Sequence, residues 1–239
     1  MKNILVTGIS KGLGLEIKET LLKAGYNVFG VSRSFEEPYS VDGQDNSFEH
    51  IQYDLSNVDE IKDELFTKKL LHQIPIHGYI NNAAFAYDDI ITNLNYQRLE
   101  EMYRVNVFSP MMISKFVLRN MLLHNVKGSI IHISSISVHT GYKGLAMYAS
   151  SKGALEAFSK NTAREWGQRG IRSNCIVAGF METSMSNTLD REQKDRIYKR
   201  TSLKKPTSLK SVAKMAEFLL SSDSESITGQ NLFVDSGTI

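Results

Sequence analysis

Tyr148 and Lys152 stand four residues apart in a stretch, 147–166, whose Ala, Leu, Phe and Trp spacing is helical, so both side chains share one helix face. A phenol ionises near ~10 and is a poor acid or base at neutral pH unless a nearby positive charge favours its ionised form. Lys152 is placed to supply that charge. Upstream, Ser134-Ser135 closes an apolar run, and a hydroxyl there can hydrogen-bond a carbonyl oxygen and polarise it for hydride attack. A carbonyl lying between Ser135 and Tyr148 would take a hydride on carbon and a proton on oxygen. Tyrosine and lysine at this spacing occur on many helices, so the reading depends on what else the chain carries.

A phosphate-binding pattern lies near the N-terminus. After Ile4-Leu5-Val6 comes Thr7-Gly8-Ile9-Ser10-Lys11-Gly12-Leu13-Gly14, and a helical period starts inside it. Glycines there permit a tight turn and let the backbone approach a pyrophosphate, whose charge the helix N-terminus stabilises. A dinucleotide site that prefers NAD usually has an acidic residue ending the second strand, where this chain has Ser32-Arg33-Ser34. Arg33, with Lys11 in the glycine loop, would attract a 2'-phosphate by charge-assisted hydrogen bonds, which predicts NADP(H) as cofactor. Asp54-Leu55, Asn82-Ala83 and the group Gly179, Met181 and Thr183 follow later strands. Carboxyl ends of strands are where an open parallel sheet binds its ligands.

These groups need a frame. Short β-type runs near 3–7, 27–32, 48–53, 76–81, 128–134, 171–177 and 230–235 alternate with helical segments. Leu13, Ile17, Leu21 and Leu22 keep one apolar face in the first helix, as Val212, Met215, Ala216, Leu219 and Leu220 do in the last. The alternation predicts an α/β fold, a doubly wound, parallel, seven-stranded sheet of the Rossmann type in three α/β/α layers. No Pro-, Gly- or Ser-rich linker and no repeat divides the chain, so residues 1–239 read as one domain. The stretches 34–47 and 180–207 lack periodicity, and the second reads as a substrate lid. Helical stretches at 94–123 and 146–169 carry more large apolar residues than one sheet face requires, which predicts association through them.

With 41% hydrophobic and 23% charged residues, the composition is that of a globular protein and excludes a disordered or collagen-like chain. A net charge of +2 is too small for a dedicated nucleic-acid binder. No apolar run is long enough to cross a bilayer, no signal-peptide pattern stands at the N-terminus, and Cys175 is the only cysteine, so the expected compartment is the cytoplasm. Cys175 itself reads as a buried strand residue. The six histidines show no metal-ligand spacing, and no metal is expected. His139, four residues after Ser135, reads as a pocket-lining residue or as a loop histidine without a catalytic role. Lys199, Arg200, Lys204 and Lys205 read as the solvated face of the lid, with an acidic carrier as the alternative partner.

In this order and on these elements, the motifs resemble the short-chain dehydrogenase/reductase family in its compact, single-domain form, and the resemblance spans the chain. The family's Thr-Gly-x-x-x-Gly-x-Gly is matched at Thr7, Gly8, Gly12 and Gly14, and its Tyr-x-x-x-Lys at Tyr148 and Lys152. Its catalytic serine lies thirteen residues before the tyrosine, which selects Ser135, and its catalytic asparagine matches Asn106. The resemblance implies Tyr148 as proton donor, with Lys152 holding the nicotinamide ribose and lowering the phenol's pKa. It further implies that Ser135 orients the carbonyl, that Asn106 anchors a relay water, and that the protein is a homotetramer. Two loops depart from the pattern: Asn-Asn-Ala-Gly has become Asn81-Asn82-Ala83-Ala84, and Pro-Gly has become Ala178-Gly179.

Within the family, Gly179-Phe180-Met181-Glu182-Thr183-Ser184-Met185 is most similar to bacterial 3-oxoacyl-[acyl-carrier-protein] reductases. That implies a 3-oxoacyl thioester carried on acyl carrier protein. Arg169 stands where that subgroup meets its carrier, whereas Val126, with Lys127 beside it, replaces a second basic residue. The alternatives are a sugar, polyol or secondary-metabolite carbonyl, and a nucleotide-sensing protein without turnover. Retention of both Tyr148 and Lys152 speaks against the sensor.

Overall fold

The computed structural model describes residues 1–35, 47–68, 71–183 and 189–239. Most of the aperiodic stretch 34–47, and Ser184 and Met185 of the C-terminal motif, lie outside the described residues. The strands are β1 (Asn3–Thr7), β2 (Asn27–Ser32), β3 (Phe48–Gln52), β4 (Gly78–Asn81), β5 (Ser129–Ser135), β6 (Arg172–Ala178) and β7 (Asn231–Val234). They form one parallel sheet in the order β3-β2-β1-β4-β5-β6-β7, as the alternation predicts. The order reverses between β1 and β4, and the carboxyl ends of strands at such a reversal form the ligand crevice of a doubly wound sheet.

The central strands are buried on both faces, so apolar residues stand side by side in them, as in Ile4-Leu5-Val6 and Ile130-Ile131, in place of strict alternation. Ile4, Val6, Ile80, Ile131, Ile133 and Ile176 pack against α1 (Gly12–Lys23) and α7 (Leu209–Leu220) through Ile17, Leu21, Ala213 and Ala216. On the other face, Leu5, Tyr79 and Ile130 meet Ile113, Val117 and Met121 of α3 (Ser109–Leu123). Beside α3 runs α5 (Ala146–Trp166), which buries Leu155, Ser159 and Ala163 over β5 and β6. A short α4 (Ser137–Thr140) follows β5 directly, and α6 (Arg191–Arg200) starts with a capping box in which Asp190 and Gln193 satisfy each other's backbone N–H groups.

The stretch 94–123 is not one helix. It divides into α2 (Tyr96–Tyr103), a π-helical turn (Arg104–Phe108) and α3. Pro110 sits in the first turn of α3 and has no N–H to give the carbonyl four residues back, that of Asn106. The wide turn is closed instead by the Ser109 N–H donating to the Arg104 carbonyl, and such π turns recur at functional sites. Periodicity misses the break because the apolar positions continue through it.

Candidate active site

The crevice at the reversal is built from backbone and small side chains. Thr7 Oγ1 accepts the N–H groups of Asn82 and Ala83, each at 3.2 Å. Asn82 Nδ2 returns the link by donating to the Thr7 and Gly8 carbonyls, at 3.1 and 2.9 Å. Asn82 therefore clamps the glycine turn to the loop after β4, a role its position alone did not disclose. Gly8 has φ +73°, and a Cβ there would stand 2.7 Å from Ala83 Cα. At Gly14 a Cβ would stand 1.9 Å from the Gly8 carbonyl oxygen. Both positions demand glycine, and the change from Gly to Ala84 beside them leaves the clamp intact.

Lys11 is the N-cap of α1 and makes no side-chain cap bond, so the first-turn N–H groups receive no capping acceptor from it. A turn that only glycine can form, opening onto an uncapped helix N-terminus, fits a pyrophosphate. Ser10 and Lys11 are exposed, and Leu13 is buried in the core, which limits Leu13 to a backbone role. Thr183 lies over this turn, its Cγ2 3.5 Å from where a Cβ on Gly12 would stand. Gly179 is packed so closely that a Cβ would meet Thr207 Oγ1 at 2.4 Å and Asp235 Cα at 2.6 Å, while Met181 leans on the α1/α7 core. At the other side of the crevice Arg33 is exposed just past β2, Asp54 Oδ1 accepts the Ser56 N–H at 2.9 Å, and Leu55 is buried.

The reacting groups meet at the ends of β5 and α5. Ser135 Oγ accepts the Ser137 N–H at 3.2 Å and the Ser137 hydroxyl at 3.0 Å. With both lone pairs engaged, the Ser135 hydroxyl has one function left, to donate its proton. The Ser135 hydroxyl faces the Tyr148 phenol. The phenol is pushed up to about 12, first by burial and then by the Asp88 carboxylate, with the nearby Ser135 hydroxyl working the other way. Lys152 is 2% exposed, its Nζ lies 5.8 Å from the Tyr148 ring centroid, and it donates to the Ile133 carbonyl at 2.8 Å. Burial pulls its amine down to about 8.

One expectation therefore needs correcting. The positive charge of Lys152 is not among the causes acting on the phenol here, because the amine is turned toward β5 and burial dominates both groups. Asn106 is fully buried, and its side chain is committed to structure: Nδ2 donates to the Phe85 carbonyl at 2.8 Å and to Ser151 Oγ at 3.1 Å, while Oδ1 accepts the Phe85 N–H at 2.8 Å. It binds the π turn, the loop after β4 and α5 together.

Neighbouring groups are inert by burial. His132, next to Ile133, is pulled down to about 3 by burial and then by Lys152, and burial pushes the Cys175 thiol up to about 12. Among the described residues no group of His, Cys, Asp and Glu could hold a metal. His139 lies in the short helix α4 and not in a loop; it pairs with Glu156 at 3.1 Å and stacks edge-on against Phe233 at 5.0 Å. Sequence reasoning missed Ser137, Asp88 and Glu156. Ser137 had a local signal, since a serine accepting from the N–H two residues on is a common turn.

A family profile described as Enoyl-(Acyl carrier protein) reductase matches residues 8–238. L-xylulose reductase of Caenorhabditis elegans is 32% identical over 238 residues, covering 99% of this chain and 95% of the relative. The 3-oxoacyl-[acyl-carrier-protein] reductase FabG of Buchnera aphidicola subsp. Baizongia pistaciae (strain Bp) is also 32% identical, over 99% of this chain and 96% of its own length. Among solved structures, 4-hydroxyisoleucine dehydrogenase complexed with NADH superposes with a TM-score of 0.92 at 25% identity, covering 100% of this chain and 98% of that one. ElxO with NADP bound gives 0.88 at 26% identity, covering 99% and 98%. Sheet order, glycine turn and these similarities agree: the chain belongs to the short-chain dehydrogenase/reductase family and is an NAD(P)-dependent oxidoreductase acting between CH–OH and C=O groups.

Proposed function

We propose that this protein uses NADPH to reduce a ketone to a secondary alcohol, with a 3-oxoacyl thioester as substrate. The observation that carries the reductase roles is the meeting of Ser135, Tyr148 and Lys152, with a Ser135 hydroxyl left only its proton to donate. Ser135 donates to the carbonyl oxygen and polarises it. Tyr148, protonated across the physiological range, hands its proton to that oxygen as negative charge develops there. Lys152 would hold the nicotinamide ribose. Bound NADPH supplies the hydride. Gly8, Gly12 and Gly14 with the α1 N-terminus would hold the pyrophosphate, and Arg33 and Lys11 the 2'-phosphate.

Similarity to the Buchnera reductase favours the thioester. An equal identity to the xylulose reductase favours the second reading, a sugar or polyol carbonyl. Segment 180–207, of which 184–188 lie outside the described residues, acts as the lid in this reading: Tyr198 donates to Glu182 at 2.5 Å and packs on Phe180, and the Arg200 guanidinium lies 5.9 Å from the Tyr142 ring. Exposed Tyr96, Phe108 and Leu123 on the α2–α3 face support a homotetramer built through that face and α5. No helix among the described residues is long and apolar enough to cross a membrane, in keeping with a cytoplasmic enzyme. The test is a panel of acetoacetyl thioester, ketoses and simple ketones with NADPH and with NADH, followed by NADPH absorbance. Turnover of the thioester above all others supports the first reading, preference for ketoses supports the second, and no turnover of any carbonyl removes both.

A further inference from the structure

Glu156 belongs to no part of the chemistry described so far, yet it lies one turn beyond Lys152 and two beyond Tyr148 on the same face of α5. It is 8% exposed. Ser134 Oγ donates to its Oε1 at 2.5 Å and Asn231 Nδ2 to its Oε2 at 2.7 Å. His139 Nε2 reaches both oxygens, at 3.2 and 3.1 Å, and because a carboxylate only accepts, that nitrogen is the protonated one. The three donors come from three other elements, β5, α4 and β7. A buried carboxylate is costly unless its oxygens are hydrogen-bonded, and an apolar side chain at such a position would usually hold the fold as well or better. Its full set of partners therefore points to placement of other groups.

Those partners bracket the reacting serine. Ser134 precedes Ser135 in the chain, and His139 is in α4, the element whose Ser137 engages both lone pairs of Ser135 Oγ. We propose that Glu156 is a positioning residue for the reduction: it ties the Ser135 segment, on both sides of Ser135, to the helix that carries Tyr148 and Lys152. This rests on the catalytic roles assigned above. Cutting the tie lets the serine hydroxyl drift from the phenol, and a misplacement near ~1 Å can cost about a hundredfold in rate. The cofactor turn, held by Thr7 and Asn82, does not depend on it.

The experiment compares Glu156→Gln, Glu156→Leu and Ser134→Ala with the unaltered enzyme, using NADPH and the best substrate of the panel, with Tyr148→Phe as control. Glu156→Gln keeps the volume but turns an NH2 toward the donors, and Ser134→Ala removes one tie without touching the carboxylate. We expect kcat to fall about tenfold or more in Glu156→Gln, and in the same direction in Ser134→Ala, with NADPH affinity unchanged within about twofold. A kcat loss below about fivefold in Glu156→Gln, or a loss confined to KM for NADPH, overturns the proposal. Should Glu156→Leu fail to fold, the other two variants decide. Turnover retained in Tyr148→Phe would instead remove the catalytic reading, so the two failures are distinguishable.

Discussion

Replacing Lys152 with Met should abolish turnover and leave the protein at least as stable as before. Burial lowers the amine from 10.5 to about 8, and at ~1.36 kcal/mol per unit the charged form costs the fold about 3 kcal/mol at neutral pH. The variant loses the hydrogen bond to the Ile133 carbonyl, and a buried carbonyl left unmatched costs roughly 1–3 kcal/mol. Met fills the volume of the lysine stem with no charge to bury. The balance is a gain between about zero and ~2 kcal/mol, and at ~2–4 °C per kcal/mol the melting temperature should stay level or rise by several degrees. The sign is fixed by linkage: with the folded pKa below the unfolded one, the unfolded chain holds more protons between about 8 and 10.5, so the unaltered protein gains stability as pH rises through that window. The variant lacks that gain. Thermal unfolding of both proteins at either end of the window, with turnover measured alongside, is the assay. A variant that at the lower end of the window is more than ~2 kcal/mol less stable than the parent, or that keeps turnover, refutes the reasoning.

Three further outcomes follow from the same geometry. Reduction should lose kcat/KM as pH rises through about 8, where Lys152 gives up its proton, while Tyr148 stays protonated until about 12; a profile flat across this range contradicts the role of the ammonium. Gly14→Ala puts a Cβ 1.9 Å from the Gly8 carbonyl oxygen and should remove cofactor binding, read by NADPH fluorescence; affinity within about threefold of the parent would contradict a close-packed turn. Arg33→Ala should raise KM for NADPH by about ten- to a hundredfold and leave KM for NADH unchanged, as expected for loss of one charge-assisted hydrogen bond; equal effects on both cofactors would remove Arg33 from the 2'-phosphate site.

The fold was legible because its strands are buried on both faces. Runs such as Ser129–Ser135 and Arg172–Ala178 stand out as apolar segments between helical periods, and their spacing leaves a parallel sheet as the economical arrangement. The π turn at Arg104–Phe108 was not legible, because what opens it is Pro110 together with contacts from Asn106 to Phe85, 21 residues upstream. The same distinction runs through the site. Glycine turn, serine, tyrosine and lysine are marked by type and spacing. Asn82 as a clamp and Glu156 as a three-donor acceptor owe their roles to partners distant in the chain, Thr7 and Gly8 for one and Ser134, His139 and Asn231 for the other. The orientation of Lys152 toward Ile133 is likewise a matter of rotamer and burial, which spacing on a helix does not determine.

The central claim is that the Tyr148 hydroxyl delivers the proton to the reduced carbonyl oxygen. Single-turnover reduction by Tyr148→Phe, preloaded with NADPH and mixed with the best substrate of the panel, tests it directly. The account predicts unchanged NADPH binding and a hydride-transfer rate lower by about a hundred- to ten-thousandfold. A rate within about tenfold of the unaltered enzyme, with NADPH bound equally well, would contradict it.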